Sequence, residues 1–206
     1  MTRRFSRQSA VGSLKRKNMR ICVYCASSMG NNEVFAQAAR DLGQWIGQNG
    51  HSLVYGGACC GTMGVLADAA LQSGAYVHGI IPRFFEHYSF EVVHKNLSGI
   101  TLVDDMAERK KLLVKEAHVF VVLPGSYGTM DELFETLALC QLKQIEKPVF
   151  LLNINGFYNP LLAQLDQMQE CGFLKSSNRA LLSVADNLAS MTQAISEYSQ
   201  QHPKLL

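Results

Sequence analysis

Charge is scarce in this chain of 206 residues: 17% are Asp, Glu, Lys or Arg, against 48% hydrophobic. A chain so apolar is not disordered, and its length suits one substantial core rather than two generous domains. Acidic residues are missing altogether from the first 18 positions, which carry six basic ones (Arg3, Arg4, Arg7, Lys15, Arg16, Lys17). Setting that segment aside leaves 13 basic residues against 17 acidic ones, a net of −4 where the whole chain shows +2. A negative body argues against nucleic acid as a partner. No stretch has the long charge-free apolar run of a membrane span, and the first 18 residues lack the apolar core of a secretory signal.

Several phosphate, metal and nucleophile signatures are also missing. There is no G-x-x-x-x-G-K-[ST], which excludes a P-loop NTPase, and no G-x-G-x-x-G follows the first apolar run, which weakens dinucleotide binding. The histidines (His51, His78, His87, His94, His118, His202) show no H-x-x-x-H or Cys/His ligand spacing, so no metal site is expected. No G-x-S-x-G marks a nucleophile elbow. Without a secretion signal, Cys22, Cys25, Cys59, Cys60, Cys140 and Cys171 read as free thiols in a reducing cytoplasm. Cys22 and Cys25 spell C-x-x-C, but inside an apolar strand with no matching second pair, so they are expected to be core cysteines.

What is present is an alternation of short apolar runs with helical periodicity. Strands are expected over 20–25, 52–55, 76–81, 100–103, 119–123 and 149–152, and helices over 32–48, 62–73, 105–117, 160–170 and 188–199. Asp105 and Glu108 form a capping pattern at the start of the third helix. Strand–helix alternation of this kind implies parallel β-structure with right-handed crossovers. The expected fold is α/β: a doubly wound, mostly parallel Rossmann-like sheet with helices on both faces, in a single domain over 19–206. Residues 1–18 read as a basic, disordered leader, and an Arg-rich targeting peptide is the other use of such a composition.

In doubly wound sheets ligands bind beyond the carboxyl ends of the strands. Three turns of small residues cluster there: Ala26-Ser27-Ser28, Gly56-Gly57-Ala58, and Pro124-Gly125-Ser126-Tyr127-Gly128. The third joins an apolar strand to a helix, so backbone N–H groups converge at a helix N-terminus, a favourable place for phosphate. Gly125 and Gly128 allow positive φ and let a ligand approach the backbone closely. Glu132 follows within the helix, where a carboxylate beside a phosphate cradle suggests chemistry on a phosphorylated small molecule. The run Thr129-Met130-Asp131-Glu132 also fits a capping box, with Thr129 as cap and Glu132 reaching back, which alone could explain the glutamate.

Arg109 lies at the i+3 step between Met106 and Leu113, on the inward stripe of its helix. A charge there wants an anionic partner, unless the side chain snorkels to water. Lys111 is expected to face solvent, as is Lys110, although Lys110 could edge into the site.

Taken together, Cys25-Ala26-Ser27-Ser28, Val54-Tyr55-Gly56-Gly57, Gly61-Thr62-Met63-Gly64, Met106-Ala107-Glu108-Arg109-Lys110, Pro124 to Glu132, and Asn155-Gly156-Phe157-Tyr158 resemble the Lonely Guy family of cytokinin riboside 5′-monophosphate phosphoribohydrolases, often labelled lysine decarboxylases. The resemblance covers residues 20–190 and rests on the paired patterns M-x-x-R-K and P-G-G-x-G-T-x-x-E. It implies that Arg109 and Glu132 are catalytic. It implies that Gly125, Gly128 and Thr129, with Ser126 in place of the motif's second glycine, contact phosphate and ribose. Ser27, Ser28, Gly56, Gly57 and Lys110 complete the substrate-binding set. It further implies homodimers or higher homo-oligomers. The chain departs from the family at Ser126, where a positive-φ position is expected to be strained or differently built, at Ala58-Cys59-Cys60 after the paired glycines, and at Lys143-Gln144-Ile145-Glu146, which lacks a histidine common there.

The expected activity is hydrolysis of the N-glycosidic bond of nucleoside 5′-monophosphates, AMP or a cytokinin riboside 5′-monophosphate, to free base and ribose 5-phosphate. It calls for no cofactor, metal, nucleic acid or membrane, and for a cytoplasmic location. The alternative is a non-catalytic carrier of a nucleotide or phosphorylated cofactor, which shares the cradle but needs no Arg109–Glu132 pair. Pyridoxal-phosphate decarboxylation is disfavoured because no lysine is placed for a Schiff base.

Removing residues 1–18 is expected to leave the melting temperature and the turnover unchanged, because the segment has no apolar face to bury. A lower melting temperature on truncation would show that it packs on the body.

Overall fold

A computed structural model describes residues 18–87 and 93–202. Of the expected leader, Asn18 alone falls within them, its side chain accepting a hydrogen bond from Ser52 Oγ at 3.1 Å. Residues 1–17 lie outside the described part.

The strands are β1 (Arg20–Tyr24), β2 (Ser52–Tyr55), β3 (Tyr76–Pro82), β4 (Gly99–Val103), β5 (Val119–Val122), β6 (Val149–Leu152) and β7 (Leu182–Ala185). They form one parallel sheet in the order β4-β3-β2-β1-β5-β6-β7. The helices are α1 (Glu33–Gln48), α2 (Gly61–Gln72), α3 (Met106–Glu116), α4 (Tyr127–Gln141), α5 (Asn159–Glu170), the short α6 (Ser176–Arg179) and α7 (Leu188–Gln201). Among the described residues no helix is long and apolar enough to cross a membrane.

The order of the strands explains the two faces. The chain winds from β1 to β4 in one direction, and right-handed crossovers then put α1 and α2 on the same face. It returns across the sheet through α3 to β5 and continues outward to β7. The reversed direction places α3, α4 and α5 on the opposite face. The buried clusters follow this division. Leu42 and Ile46 of α1 and Leu66 and Ala70 of α2 pack with Met191 and Ile195 of α7, whereas Leu113 of α3, Leu133 of α4 and Leu165 of α5 pack on the other side. Every residue of β2, β5 and β6 is buried, as expected of central parallel strands covered on both sides.

The six expected strands and the doubly wound sheet are present. The seventh strand, β7, was not legible because it is an edge strand with two of its four residues exposed, which removes the apolar run that marks its neighbours. The capping pattern of α3 is also present: Asp105 Oδ1 accepts from the Glu108 N–H at 2.7 Å, while Glu108 Oε2 reaches past it to the Asp104 N–H at 2.8 Å.

Cys22 on β1 and Cys25 just beyond its end, three residues apart, project to opposite faces and join different core clusters. A strand's two-residue side-chain period forbids any other outcome. Burial pushes both thiols well above the usual range. They are core residues, as the strand context suggested.

Candidate active site

The winding reverses between β1 and β5, so their carboxyl ends diverge into loops on either side of a crevice. The β1 loop supplies Ala26, Ser28, Met29, Gly30 and Asn31; the β5 loop supplies Pro124, Gly125 and Ser126. With Phe35 of α1, Thr62 of α2 and Phe157 they line a cavity of ≈ 230 Å³. This is the topological switch point, where open α/β sheets hold ligands.

The β5 loop runs directly into α4. The cap is Ser126 rather than Thr129, so the first-turn N–H groups belong to Tyr127, Gly128 and Thr129, which have no carbonyl four residues back within the helix. The first regular helix bond is Met130 N–H to Ser126 O, 3.0 Å. Neither Gly125 nor Gly128 uses its freedom to take positive φ, and the turn is built differently at Ser126, whose φ of −115° lies outside the left-handed region. Gly125 is needed for room instead: a Cβ there would lie 2.0 Å from Thr129 Oγ1. That hydroxyl is buried and has no hydrogen-bond partner among the described residues. An orphaned buried hydroxyl is rare, and beside a helix N-terminus it is a donor held ready for an anionic oxygen.

The same shift of the helix start removes the capping-box explanation of Glu132. Counting from Tyr127, Glu132 is the sixth residue of α4, too far along to reach the cap, and its side chain turns to α3. Arg109 Nη1 meets Glu132 Oε1 at 3.1 Å, with the two side chains 11% and 9% exposed. Arg109 Nε donates to Ile80 O at 3.2 Å, fixing the guanidinium at the end of β3. Gly56 lies against it, and a Cβ at that position would come 2.0 Å from Arg109 Nη2. The arginine therefore does not snorkel; the end of β2 is hollowed to hold it.

Burial pushes the Glu132 carboxyl up from 4.5 to about 7, against the opposing pull of the Arg109 guanidinium. Its backbone is tied down as well: Thr136 Oγ1 donates to Glu132 O at 2.8 Å and in turn meets the Tyr24 hydroxyl at 2.9 Å. The carboxylate is thus a group that changes charge near neutral pH, on a rigid first segment of α4.

The remaining expected residues divide. Ser28 lines the cavity, while Ser27 is exposed on the same loop. Gly57 is buried at φ +82°, its carbonyl accepting from the His94 N–H at 3.0 Å. Lys111 is exposed, as expected, but Lys110 is not free: its ammonium meets Asp131 Oδ1 at 2.9 Å and also pairs with Glu135. Phe35, near the start of α1, forms a cavity wall, edge-on to Phe157 at 5.5 Å between ring centroids. Phe157 follows Asn155 and Gly156, both at positive φ, a turn that the Asn-Gly pair announces.

A protein family described as possible lysine decarboxylases matches residues 63–195. The probable cytokinin riboside 5′-monophosphate phosphoribohydrolase LOGL1 of Oryza sativa subsp. japonica is 37% identical over 197 residues, 96% of this chain and 87% of its own length. The cytokinin riboside 5′-monophosphate phosphoribohydrolase LOG5 of Arabidopsis thaliana is 38% identical over 185 residues, 90% of this chain and 80% of its own. In fold, the chain is similar to the molybdenum cofactor binding protein of Rippkaea orientalis, with a TM-score of 0.66 at 21% identity, over 88% of this chain and 98% of that one.

Glu132 ties stability to pH. Its carboxyl holds a proton more tightly folded than unfolded, so protonation favours the folded state; that contribution is complete below about pH 4.5 and is lost as pH rises through about 7. The loss amounts to about 3 kcal/mol. Glu132→Gln has no charge to bury. Its melting temperature relative to the unsubstituted protein is therefore expected to climb by several degrees between about pH 5 and about pH 8. A difference that stays flat over that range, measured by thermal unfolding, would contradict the raised proton affinity.

Proposed function

The chain belongs to the Lonely Guy family of phosphoribohydrolases, and on that premise we propose that it hydrolyses the N-glycosidic bond of nucleoside 5′-monophosphates, consuming water and releasing the free base and ribose 5-phosphate. The observation that carries this is the buried Arg109–Glu132 pair beside the N-terminus of α4. Cleavage of the C1′–N bond passes through an oxocarbenium-like sugar, which an ionised carboxylate stabilises; the same carboxylate can take a proton from the attacking water. Glu132 has that role. Arg109 orients it and keeps its charged form accessible despite burial.

The 5′-phosphate sits at the first-turn N–H groups of α4, with Thr129 Oγ1 and the Gly125–Gly128 backbone around it. This supplies the buried hydroxyl with the partner it otherwise lacks. Ser27, Ser28, Gly56 and Gly57 belong to the turns that border the sugar and base. Binding of the non-reacting phosphate holds C1′ in reactive geometry. AMP and its N6-substituted relatives are the substrates we favour, since the cavity walls of Phe35, Phe157, Met29 and Pro124 offer apolar and aromatic surface to a purine.

A carrier on this fold would use the phosphate cradle and gain nothing from burying a carboxylate with raised proton affinity, so hydrolysis accounts for more of the site. Among the described residues no disulfide links the six cysteines, which agrees with a cytoplasmic location. Exposed Phe134, Leu142 and Phe173 around the α4–α5 side give a homodimer or higher homo-oligomer apolar surface to bury.

If the phosphate is seated at α4, adenosine is expected to be a poorer substrate than AMP by about 10³-fold in kcat/KM, corresponding to about 4 kcal/mol of charge-assisted hydrogen bonding lost. Released adenine, quantified for both, checks this; equal kcat/KM values would remove the phosphate from the cradle.

A further inference from the structure

Next to the Arg109–Glu132 pair lies a second rung between the same two helices. Lys110 Nζ meets Asp131 Oδ1 at 2.9 Å and pairs with Glu135, and its side chain is 19% exposed. Asp131, Glu132 and Glu135 fall within two turns of α4, and Asp131 and Glu135, four residues apart, share a face, where like charges repel. Arg109 and Lys110 meet these three carboxylates from one turn of α3. On β1 and just after it, Cys22, Tyr24 and Cys25 also interact with Glu132, but burial raises all three above their usual range and keeps them neutral. The ionised cluster thus holds three negative charges against two positive ones. A proton taken up by this cluster goes to the most buried acid, Glu132.

We propose that Lys110 is a positioning residue that acts through Glu132: by binding Asp131 and Glu135 it locks the first turns of α4 to α3 and keeps Glu132 ionised near neutral pH. It is not a ligand of the substrate phosphate. The proposal rests on the reading of Glu132 as the carboxylate that acts in its ionised form. Its electrostatic part has the right sign, since Lys110 is among the groups that draw the Glu132 carboxyl down and Asp131 and Glu135 are among those that push it up. The ammonium is itself stabilised by hydrogen bonds to Glu135 and Asp131, which raise its proton affinity. Two of its three N–H donors are committed to carboxylates of α4, which hold the ammonium against that helix.

The test uses the full chain with ¹³C-labelled glutamate carboxyls, the Glu132 resonance being identified by its loss in Glu132→Gln. Its titration midpoint is read in Lys110→Met, Lys110→Arg and Asp131→Asn, alongside kcat and KM for AMP across pH. Lys110→Met is expected to raise the midpoint by about one pH unit and to carry the acidic limb of kcat with it, leaving KM within about twofold. Lys110→Arg keeps both near their original values. Asp131→Asn, which removes an anion from the same cluster, moves both down and serves even if Lys110→Met folds poorly. A tenfold rise in KM with an unmoved midpoint would make Lys110 a phosphate ligand and overturn the proposal. A lower melting temperature with neither midpoint nor limb displaced would reduce it to an inert tie between helices. Midpoints that shift as expected in a protein releasing no base from any nucleoside monophosphate would uphold the control of Glu132 by Lys110 and refute the hydrolase reading instead.

Discussion

Taking a guanidinium and a carboxylate out of water costs several kcal/mol per ion before any partner compensates. The carboxyl edge of this sheet is arranged around doing that for Arg109 and Glu132. The end of β2 gives up a side chain at Gly56 so that the guanidinium fits, and the end of β3 gives it the Ile80 carbonyl. The start of α4 brings the carboxylate, whose own carbonyl is held by Thr136 and, through it, by Tyr24 of β1. Removing either partner would strand a buried charge, at about 3–5 kcal/mol, so the pair constrains the relative placement of four elements.

The winding of the chain makes this meeting possible. Among the described residues the connection that returns across the sheet is the one carrying α3 from β4 to β5, and it deposits α3 on the face where α4 then packs. Arg109 and Glu132 are 23 positions apart in sequence yet come into contact because β5 between them runs straight through the centre of the sheet. The same reversal opens the crevice between β1 and β5, so the ion pair and the cavity arise from one topological event. The residual cost of burying Glu132 is visible as a proton affinity near neutrality, which is useful for chemistry and unfavourable for stability above that pH.

Much of this was legible in the sequence, for definable reasons. Central parallel strands must be apolar on both faces, so β2, β5 and β6 stood out, whereas β7, an edge strand with Ser183 and Val184 exposed, did not. The helical period placed Arg109 inward, and the glycine turn after β5 marked the cradle. What sequence could not give was the register of α4. Thr129-Met130-Asp131-Glu132 satisfies the capping pattern locally, and only the observed start at Tyr127, with Ser126 as cap, shows that Glu132 lies beyond the cap's reach. The glycines were similarly ambiguous. Gly125 and Gly56 answer to neighbouring side chains rather than to their own φ, and that need appears only once Thr129 and Arg109 are folded against them. Phe35 carried no sign of its role, because a residue on the inward stripe of a helix can end at a cavity as easily as in a core.

The central claim is that a buried, ionisable Glu132 performs the bond cleavage and that binding does not depend on it. Equilibrium binding of AMP and release of adenine, measured side by side on Glu132→Gln, tests it most directly. The account predicts binding within a few-fold of the unsubstituted protein and base release reduced by at least about 10³-fold. Adenine release at the unsubstituted rate would contradict it.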